Sequence, residues 1–254
     1  MKPTSRQSAM ARALELLDPQ RCAVPEPADH GYGDLLPYAP PVRSIAQRLM
    51  RTSGYSAVYQ FGRPIARKLV TGSGAPSRDE DRTQVAEWLG LGSGSVVFDI
   101  GCGPGNFTGW FGTCVSPDGL AIGVDASHAM LRRAVTDNSG PAVAYLRGDA
   151  ENLPFADGVA DAVSCLAALY LINDPFRAVG ELARVLRPGG RTVILTSLMP
   201  GGVRGAARGA VLDSVSGIRW FGREEITECL ADLGFVDIEQ HVGGLSQTVT
   251  ARKR

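Results

Sequence analysis

The sequence lacks the features of several protein classes. Its five cysteines include no Cys-x-x-Cys pair, which argues against a disulfide framework and a cysteine-rich zinc site. No apolar run approaches the roughly 20 residues that cross a bilayer. The first 17 residues carry charges and no apolar signal core. Lys plus Arg and Asp plus Glu are both 26, so no net charge favours nucleic acid or a membrane. We expect a soluble, cytoplasmic protein with no metal site.

One stretch of the chain is unbalanced in charge. No acidic residue occurs between Asp34 and Asp79. The basic residues of that stretch are Arg43, Arg48, Arg51, Arg63, Arg67, Lys68 and Arg78. A short helix is expected over 9–17, prolines punctuate residues 19–41, and apolar residues then recur at helical spacing. We expect residues 1–78 to form an irregular and helical extension, with residues 42–70 as a lid over the mouth of a larger domain.

From residue 79 onward the patterns of strand and helix alternate. The expected strands are 96–100, 120–124, 143–146, 161–166 and 192–196, followed by a hairpin of 236–241 and 247–252. The expected helices are 79–89, one from Asn106, one capped by Ser127, one from Pro175 capped by Asp174, and 224–233. Arg187-Pro-Gly-Gly190 reads as a turn. Such alternation predicts parallel strands with right-handed crossovers, and hence a Rossmann-like α/β domain over 79–254.

A glycine-rich loop directly follows the first strand of this domain. Gly101, Gly103 and Gly105 have no Cβ atoms and allow positive φ, so a ligand can approach the backbone at the carboxyl edge of the sheet. The helix that begins at Asn106 adds free N–H groups. Asp125 stands twenty residues after Gly105, at the end of the second strand, where an acid can accept both ribose hydroxyls of an adenosine.

A nicotinamide dinucleotide is the competing ligand for such a loop. Its fingerprint places a third glycine where this chain has Asn106. Asp99 would repel a pyrophosphate but would attract the amino group of a methionine moiety, directly or through water. In a third loop, Asp149 can accept from an adenine amino group, the Ala150 N–H can donate to a ring nitrogen, and Met130 can pack on the adenine. The pattern favours a zwitterionic amino-acid cofactor.

Four motifs occur within residues 80–254. They are Val97-Phe-Asp-Ile-Gly-Cys-Gly-Pro-Gly-Asn-Phe107, Gly123-Val-Asp-Ala-Ser127, Gly148-Asp-Ala-Glu-Asn-Leu-Pro-Phe155 and Leu186-Arg-Pro-Gly-Gly190. In this order and spacing they resemble the class I S-adenosylmethionine-dependent methyltransferases, most of all the branch with the ubiquinone and menaquinone biosynthesis enzymes. The resemblance implies S-adenosylmethionine as cofactor. It also implies a seven-stranded, mostly parallel sheet of order 3-2-1-4-5-7-6 with an antiparallel last strand and helices on both faces.

The resemblance also assigns expected roles to residues. Asp99 and Gly101 would lie by the methionine moiety, Asp125 by the ribose, Asp149 by the adenine, and the segment 165–170 near the reactive methyl. The full set of expected cofactor contacts is Asp99, Gly101, Cys102, Gly103, Asn106, Asp125, Ala126, Met130, Gly148, Asp149, Ala150 and Cys165.

Two tyrosines, Tyr170 and Tyr59, are the candidate catalytic residues. A base is needed only where the acceptor must lose a proton. A fainter similarity links Gly31-Tyr-Gly-Asp-Leu-Leu36 to the segment after the zinc-binding head of some bacterial rRNA guanine methyltransferases. Those proteins carry paired cysteines there, whereas only Cys22 remains in this chain. We therefore expect no zinc in this segment.

We expect methyl transfer by in-line displacement to a small-molecule acceptor such as a lipid, quinone or secondary metabolite. Two alternatives are an RNA methyltransferase that uses the basic segment 43–78, and a non-catalytic, cofactor-binding regulatory protein. The zero net charge argues against RNA, and the three intact acids Asp99, Asp125 and Asp149 argue for retained cofactor binding. We expect neither nucleic acid nor a membrane span among the partners, and the sequence leaves a homodimer open.

Overall fold

A computed structural model describes residues 8–22, 30–36, 78–199 and 218–254. The α-helices of this part are α1 (Ala9–Leu14), α2 (Arg78–Leu89), α3 (Asn106–Val115), α4 (His128–Asn138), α5 (Pro175–Val185) and α6 (Glu225–Asp232). The strands are β1 (Gly33–Asp34), β2 (Val96–Ile100), β3 (Leu120–Asp125), β4 (Val143–Arg147), β5 (Ala160–Leu166), β6 (Leu186–Ser197), β7 (Phe235–Gly243) and β8 (Ser246–Lys253). One turn of 3₁₀ helix spans Leu169–Leu171.

The strands form one sheet with the order β1-β4-β3-β2-β5-β6-β8-β7. Strand β8 is antiparallel to both its neighbours, and the other pairings are parallel. Without β1 this is the expected order 3-2-1-4-5-7-6. The expected count of seven strands was wrong, because Gly33–Asp34 adds a short strand beside β4. Two residues are too few to show the alternation that reveals a strand in a sequence.

Helices cover both faces of the central strands. Val97 on β2 belongs to a buried cluster with residues of α2 and α3. Its neighbours Phe98 and Ile100 belong to a second cluster, with residues of α1, α5 and α6. The ring centroids of Phe98 and Phe155 are 4.3 Å apart in that second cluster. Because both faces are covered, β2 is an almost continuous apolar run, as parallel central strands are.

Local signals fix where several elements begin. The Ser127 hydroxyl accepts from the Met130 N–H at the start of α4, and Asp174 accepts from the Arg177 N–H at the start of α5. Pro175 takes the first position of α5, as expected. The turn expected at 187–190 is instead a bulge within β6. Ala160 pairs with Leu186 and Ala162 with Arg191, so the four residues between the two partners loop out of the ladder.

The described part of the N-terminal extension packs on the sheet. Ala9 and Ala13 of α1 are buried in the core. The Arg12 guanidinium donates to the carbonyls of Gly119 at 3.0 Å and Asp118 at 2.6 Å. The expected lid, residues 42–70, lies outside the described residues, together with Tyr59 and the basic side chains of the segment 43–78. Within the described ranges, no helix has the length and apolarity needed to cross a membrane.

Candidate active site

The loops that follow β2, β3, β4 and β5 enclose a cleft at the carboxyl edge of the sheet. Its empty volume is about 1210 Å³, including solvent at the mouth. Eleven of the twelve expected cofactor residues line it. They are Asp99, Gly101, Cys102, Gly103, Asn106, Asp125, Ala126, Met130, Gly148, Asp149 and Ala150. The twelfth, Cys165, is fully buried in the core and does not line the cleft.

The glycine loop is shaped by close packing as well as by its backbone. Gly101 and Gly105 have φ of +72° and +76°, in the left-handed region. A Cβ on Gly101 would overlap the Ala168 side chain, and one on Gly105 would overlap the Tyr145 hydroxyl. Gly103 also has positive φ, at +54°, but a Cβ there meets no atom within 4 Å. The loop therefore leaves open space at Gly103, on the side that faces the cleft.

Gly105→Ala is expected to destabilise the fold by about 2–5 kcal/mol. The left-handed conformation costs a non-glycine residue about 1–2 kcal/mol, and the overlap with Tyr145 adds about 1–3 kcal/mol. Urea denaturation measures the loss. Gly103→Ala is the matched control, because it carries the backbone penalty alone and should cost about half as much. Equal losses in the two variants would contradict the packing explanation.

Asp99 is a buried carboxyl at the floor of the cleft, 2% exposed. It accepts hydrogen bonds from the Thr108 hydroxyl at 2.7 Å and the Ser164 hydroxyl at 3.0 Å. Burial raises the pKa of Asp99 to about 6, although both hydroxyls oppose that rise. Its two donors are neutral, so a cationic group would complement the ionised carboxylate.

Asp125 holds the glycine loop and the start of α4 together. Its two carboxylate oxygens accept from the Gly103 N–H at 2.9 Å and from the Ser127 N–H at 2.8 Å. These bonds fix the carboxylate at the rim of the cleft. The arrangement suits two adjacent hydroxyl groups.

The loop that follows β4 and carries Asp149 also lines the cleft. Asp149 accepts from the Glu151 N–H at 3.0 Å, and its carbonyl accepts from the Asn152 N–H. Glu151 in turn accepts from the Asp174 N–H at 3.1 Å, which ties this loop to the start of α5. Glu151 also lines the cleft and was missed in the sequence, where it shows no periodicity or partner of its own.

An apolar wall closes the cleft on the side of β5. It is formed by the last residue of the strand, by the segment that follows and by one residue of α3: Leu166, Ala167, Ala168, Leu171, Ile172 and Phe107. Ala167 has φ of +58°, a left-handed conformation rare for alanine. Asn173 is the polar residue of this segment that reaches the cleft.

Only one of the two tyrosine candidates, Tyr170, lies in the described part of the chain. Tyr170 is half-buried against the core and does not line the cleft. Its carbonyl accepts from the Arg219 N–H at 3.0 Å. Tyr59 lies outside the described residues. Cys102 lines the cleft as a buried thiol, and burial raises its pKa well above the usual value, which disfavours the thiolate that nucleophilic chemistry would need.

Comparison with known proteins assigns this domain. Residues 98–194 match the family model for a methyltransferase domain. An uncharacterized chloroplastic methyltransferase of Arabidopsis thaliana, At2g41040, is 30% identical over 224 residues, which are 84% of this chain and 61% of that protein. The ubiquinone/menaquinone biosynthesis C-methyltransferase UbiE of Hahella chejuensis is 36% identical over 115 residues, 44% of this chain and 46% of that protein. The domain that contains residues 98–194 is a class I S-adenosylmethionine-dependent methyltransferase domain.

Solved structures agree on the fold of this domain. Haemonchus contortus phosphoethanolamine N-methyltransferase 2, in complex with S-adenosyl-L-methionine, superposes with a TM-score of 0.64 at 17% identity. The match covers 84% of this chain and 60% of that one. The chain spans between 30% and 61% of the length of the curated relatives it matches.

S-adenosylmethionine is the cofactor of this family, and the cleft residues fit it. The described lining residues include four carboxylates and no Arg, Lys or His. That charge would repel the pyrophosphate of a dinucleotide, while a sulfonium and an ammonium group suit it. Asp125 offers acceptors for ribose hydroxyls, and buried Asp99 offers a counter-charge for an amino group. A methyltransferase site fits these residues better than a nicotinamide site.

Proposed function

We propose that this methyltransferase transfers the methyl group of S-adenosylmethionine to an apolar small molecule. The observation that carries the proposal is the juxtaposition of acidic residues and an apolar wall in one cleft. The acids, the glycine loop and the apolar residues after β5 all line the same cleft, and Ala168 packs against Gly101. Relatives named as quinone methyltransferases, such as the UbiE protein described above, support an acceptor with a large apolar surface.

The cofactor, when bound, supplies an electrophilic methyl on a sulfonium, which the nucleophilic atom of the acceptor displaces in line. The chain itself orients the two partners. Asp125 and Asp149 would hold the nucleoside, Asp99 the amino group, and the apolar wall the acceptor. Orientation of this kind can lower a barrier by about 7–11 kcal/mol. An apolar acceptor would also exclude water from the wall, which protects the reaction.

Calorimetry tests the cofactor half of the proposal. S-adenosylmethionine and S-adenosylhomocysteine are expected to bind with one site per chain, and NADH is expected not to bind, because the lining carboxylates repel its pyrophosphate. Saturable NADH binding without binding of the sulfur nucleosides would overturn the proposed cofactor.

Ile172→Asp tests the acceptor half. A charge on the apolar wall should lower kcat/KM for an apolar hydroxylated aromatic acceptor at least about tenfold, because burying a carboxylate against an apolar ligand is unfavourable. The dissociation constant for S-adenosylhomocysteine should stay within about twofold. Leu245→Asp is the control, since Leu245 is 37% exposed and does not line the cleft. Methyl incorporation into total RNA by the wild type, without incorporation into the aromatic acceptors, would favour the RNA alternative instead.

A further inference from the structure

The N-terminal strand β1 is joined to the cofactor side of the sheet by a partly buried ion pair. Asp34 on β1 and Arg147 at the end of β4 are register partners in the parallel ladder. The Arg147 Nη1 atom lies 2.9 Å and 3.0 Å from the two carboxylate oxygens of Asp34. Arg147 is 5% exposed, so Asp34 compensates a charge that is buried away from water.

The same guanidinium reaches the loop that carries Asp125. The Arg147 Nε atom donates to the carbonyl of Ala126 at 3.2 Å, and Nη1 also donates to the carbonyl of Leu36 at 3.2 Å. Ala126 lines the cleft directly after Asp125. Arg147 therefore connects the end of β1 to the loop that we assign to the ribose.

A second connection from the same segment ends on the next residues of that loop. The Tyr32 hydroxyl lies 2.7 Å from Nδ1 of His128, the first residue of α4. Tyr32 is 2% exposed, and burial raises its pKa, so the phenol stays protonated and donates. Burial and Arg147 lower the pKa of His128, which favours the neutral imidazole that accepts. The Asp34 carboxylate also lies 3.9 Å from Nε2 of His128, so these contacts form one network that links residues 32–36 to residues 126–128.

We infer that Arg147 is a positioning residue for the nucleoside half of the cofactor, and that Asp34 and Tyr32 act through it and through His128. The inference rests on the proposed cofactor site. None of the three side chains lines the cleft. Arg147 holds the carbonyl of Ala126, which does line it, whereas Asp34 acts on the Arg147 side chain and Tyr32 on the His128 side chain. Without them, the Asp125–His128 turn loses its support on the side away from the glycine loop. The loss of affinity should then come from the contacts to adenosine, while the contacts to the methionine half stay unchanged.

Two ligands separate these halves. S-adenosylhomocysteine carries both, whereas 5′-methylthioadenosine carries the nucleoside without the amino acid. Calorimetry would measure both dissociation constants for the wild type, Arg147→Lys, Asp34→Asn, their double variant and Tyr32→Phe. The controls Arg133→Lys and Asp137→Asn change an ion pair on the same helix, α4, whose side chains are 37% and 34% exposed. Urea denaturation of every variant identifies any that does not fold.

Arg147→Lys and Asp34→Asn should each weaken the binding of both ligands about tenfold. The factor should be equal for the two ligands, because the displaced Asp125–His128 turn contacts the nucleoside that both contain. The double variant should lose about as much affinity as either single variant, because the two residues form one network. Tyr32→Phe removes a single hydroxyl and should weaken both ligands about threefold while remaining folded. The controls should stay within twofold.

Unchanged dissociation constants in folded Arg147→Lys and Tyr32→Phe would overturn the inference. A loss confined to S-adenosylhomocysteine would also overturn it, because the effect would then lie on the methionine half. If the wild type binds neither ligand, the proposed function itself has failed, which is a different outcome from binding that the variants leave intact.

Discussion

Asp125→Ala is expected to weaken S-adenosylhomocysteine binding by at least about 100-fold. A hydrogen bond to a charged group contributes about 1.5–3 kcal/mol, and we assign two ribose hydroxyls to this carboxylate. Each 1.4 kcal/mol is a factor of ten in the dissociation constant. The variant also leaves the Gly103 and Ser127 N–H groups without their acceptor, so part of the loss reflects a loosened loop.

A ligand that lacks the hydroxyls separates these two contributions. The wild type should bind 5′-methylthioadenosine about 100-fold more tightly than its 2′,3′-dideoxy analogue. Asp125→Ala should bind the two alike, because the preference depends on the carboxylate. Calorimetry with both ligands gives the comparison. A variant that keeps the full preference for the ribose would refute the assignment of Asp125, whatever its absolute affinity.

The sequence predicted the parallel core and the cleft for a common reason. Strands such as Val96–Ile100 are short apolar runs that end in glycine or aspartate, and helices begin at side-chain caps such as Ser127 and Asp174. These signals are local, so they are readable without the fold. Because parallel strands place their carboxyl ends together, residues at the strand ends, such as Asp99 and Asp125, are brought to one edge.

Contacts that depend on distant partners were not predictable in this way. Thr108 and Ser164 hydrogen bond to Asp99, but nothing in their local sequence distinguishes them from other helix and strand residues. Strand β1 was missed because two residues carry no period. Arg147 directly precedes a motif that pointed to the cofactor, yet its role as partner of Asp34 depends on a pairing 113 residues apart.

The segment after β5 shows a further limit. The resemblance placed 165–170 near the methyl group, and Leu166, Ala167 and Ala168 do line the cleft. Cys165 and Tyr170 do not, because a strand alternates its side chains between two faces and the short 3₁₀ turn then rotates Leu171 and Ile172 inward in place of Tyr170. The family resemblance therefore indicated which segment lines the cleft. Which of its side chains point into the cleft depends on the backbone conformation.

Asp99→Asn is expected to stabilise the ligand-free protein relative to the wild type as pH rises. The pKa of Asp99 is raised from 3.8 to about 6 in the folded state. The folded protein therefore binds this proton more tightly than the unfolded chain. The resulting stability is full below about pH 4 and is lost as pH rises through about 6. A shift of about two units corresponds to about 3 kcal/mol. Asparagine does not titrate, and its amide can still pair with the Thr108 and Ser164 hydroxyls.

Urea denaturation at pH 4.5 and pH 8 measures this change. The difference in free energy of unfolding between Asp99→Asn and the wild type should move by about 2–3 kcal/mol in favour of the variant at the higher pH. Thr108→Val is the complementary variant, because it removes a hydroxyl that lowers the pKa of Asp99 and should enlarge the pH dependence. A difference that stays constant with pH would mean that Asp99 titrates normally.

The same carboxyl should make cofactor affinity depend on pH in the opposite sense. An ammonium group is attracted by the ionised form of Asp99, and the fraction of protein that carries this ionised form falls below pH 6. The dissociation constant for S-adenosylhomocysteine should therefore decrease about tenfold from pH 5 to pH 7.5. Binding near pH 6 should release part of a proton, which calorimetry detects as a dependence of the heat on the buffer's ionisation enthalpy. Asp99→Asn should bind S-adenosylhomocysteine more weakly, with an affinity that does not change with pH.

5′-Methylthioadenosine lacks the ammonium group, so its affinity should not change with the ionisation of Asp99. The same pH dependence for both ligands would point to His128 instead. The buried charge thus destabilises the empty site and is neutralised by the group that the site is built to bind.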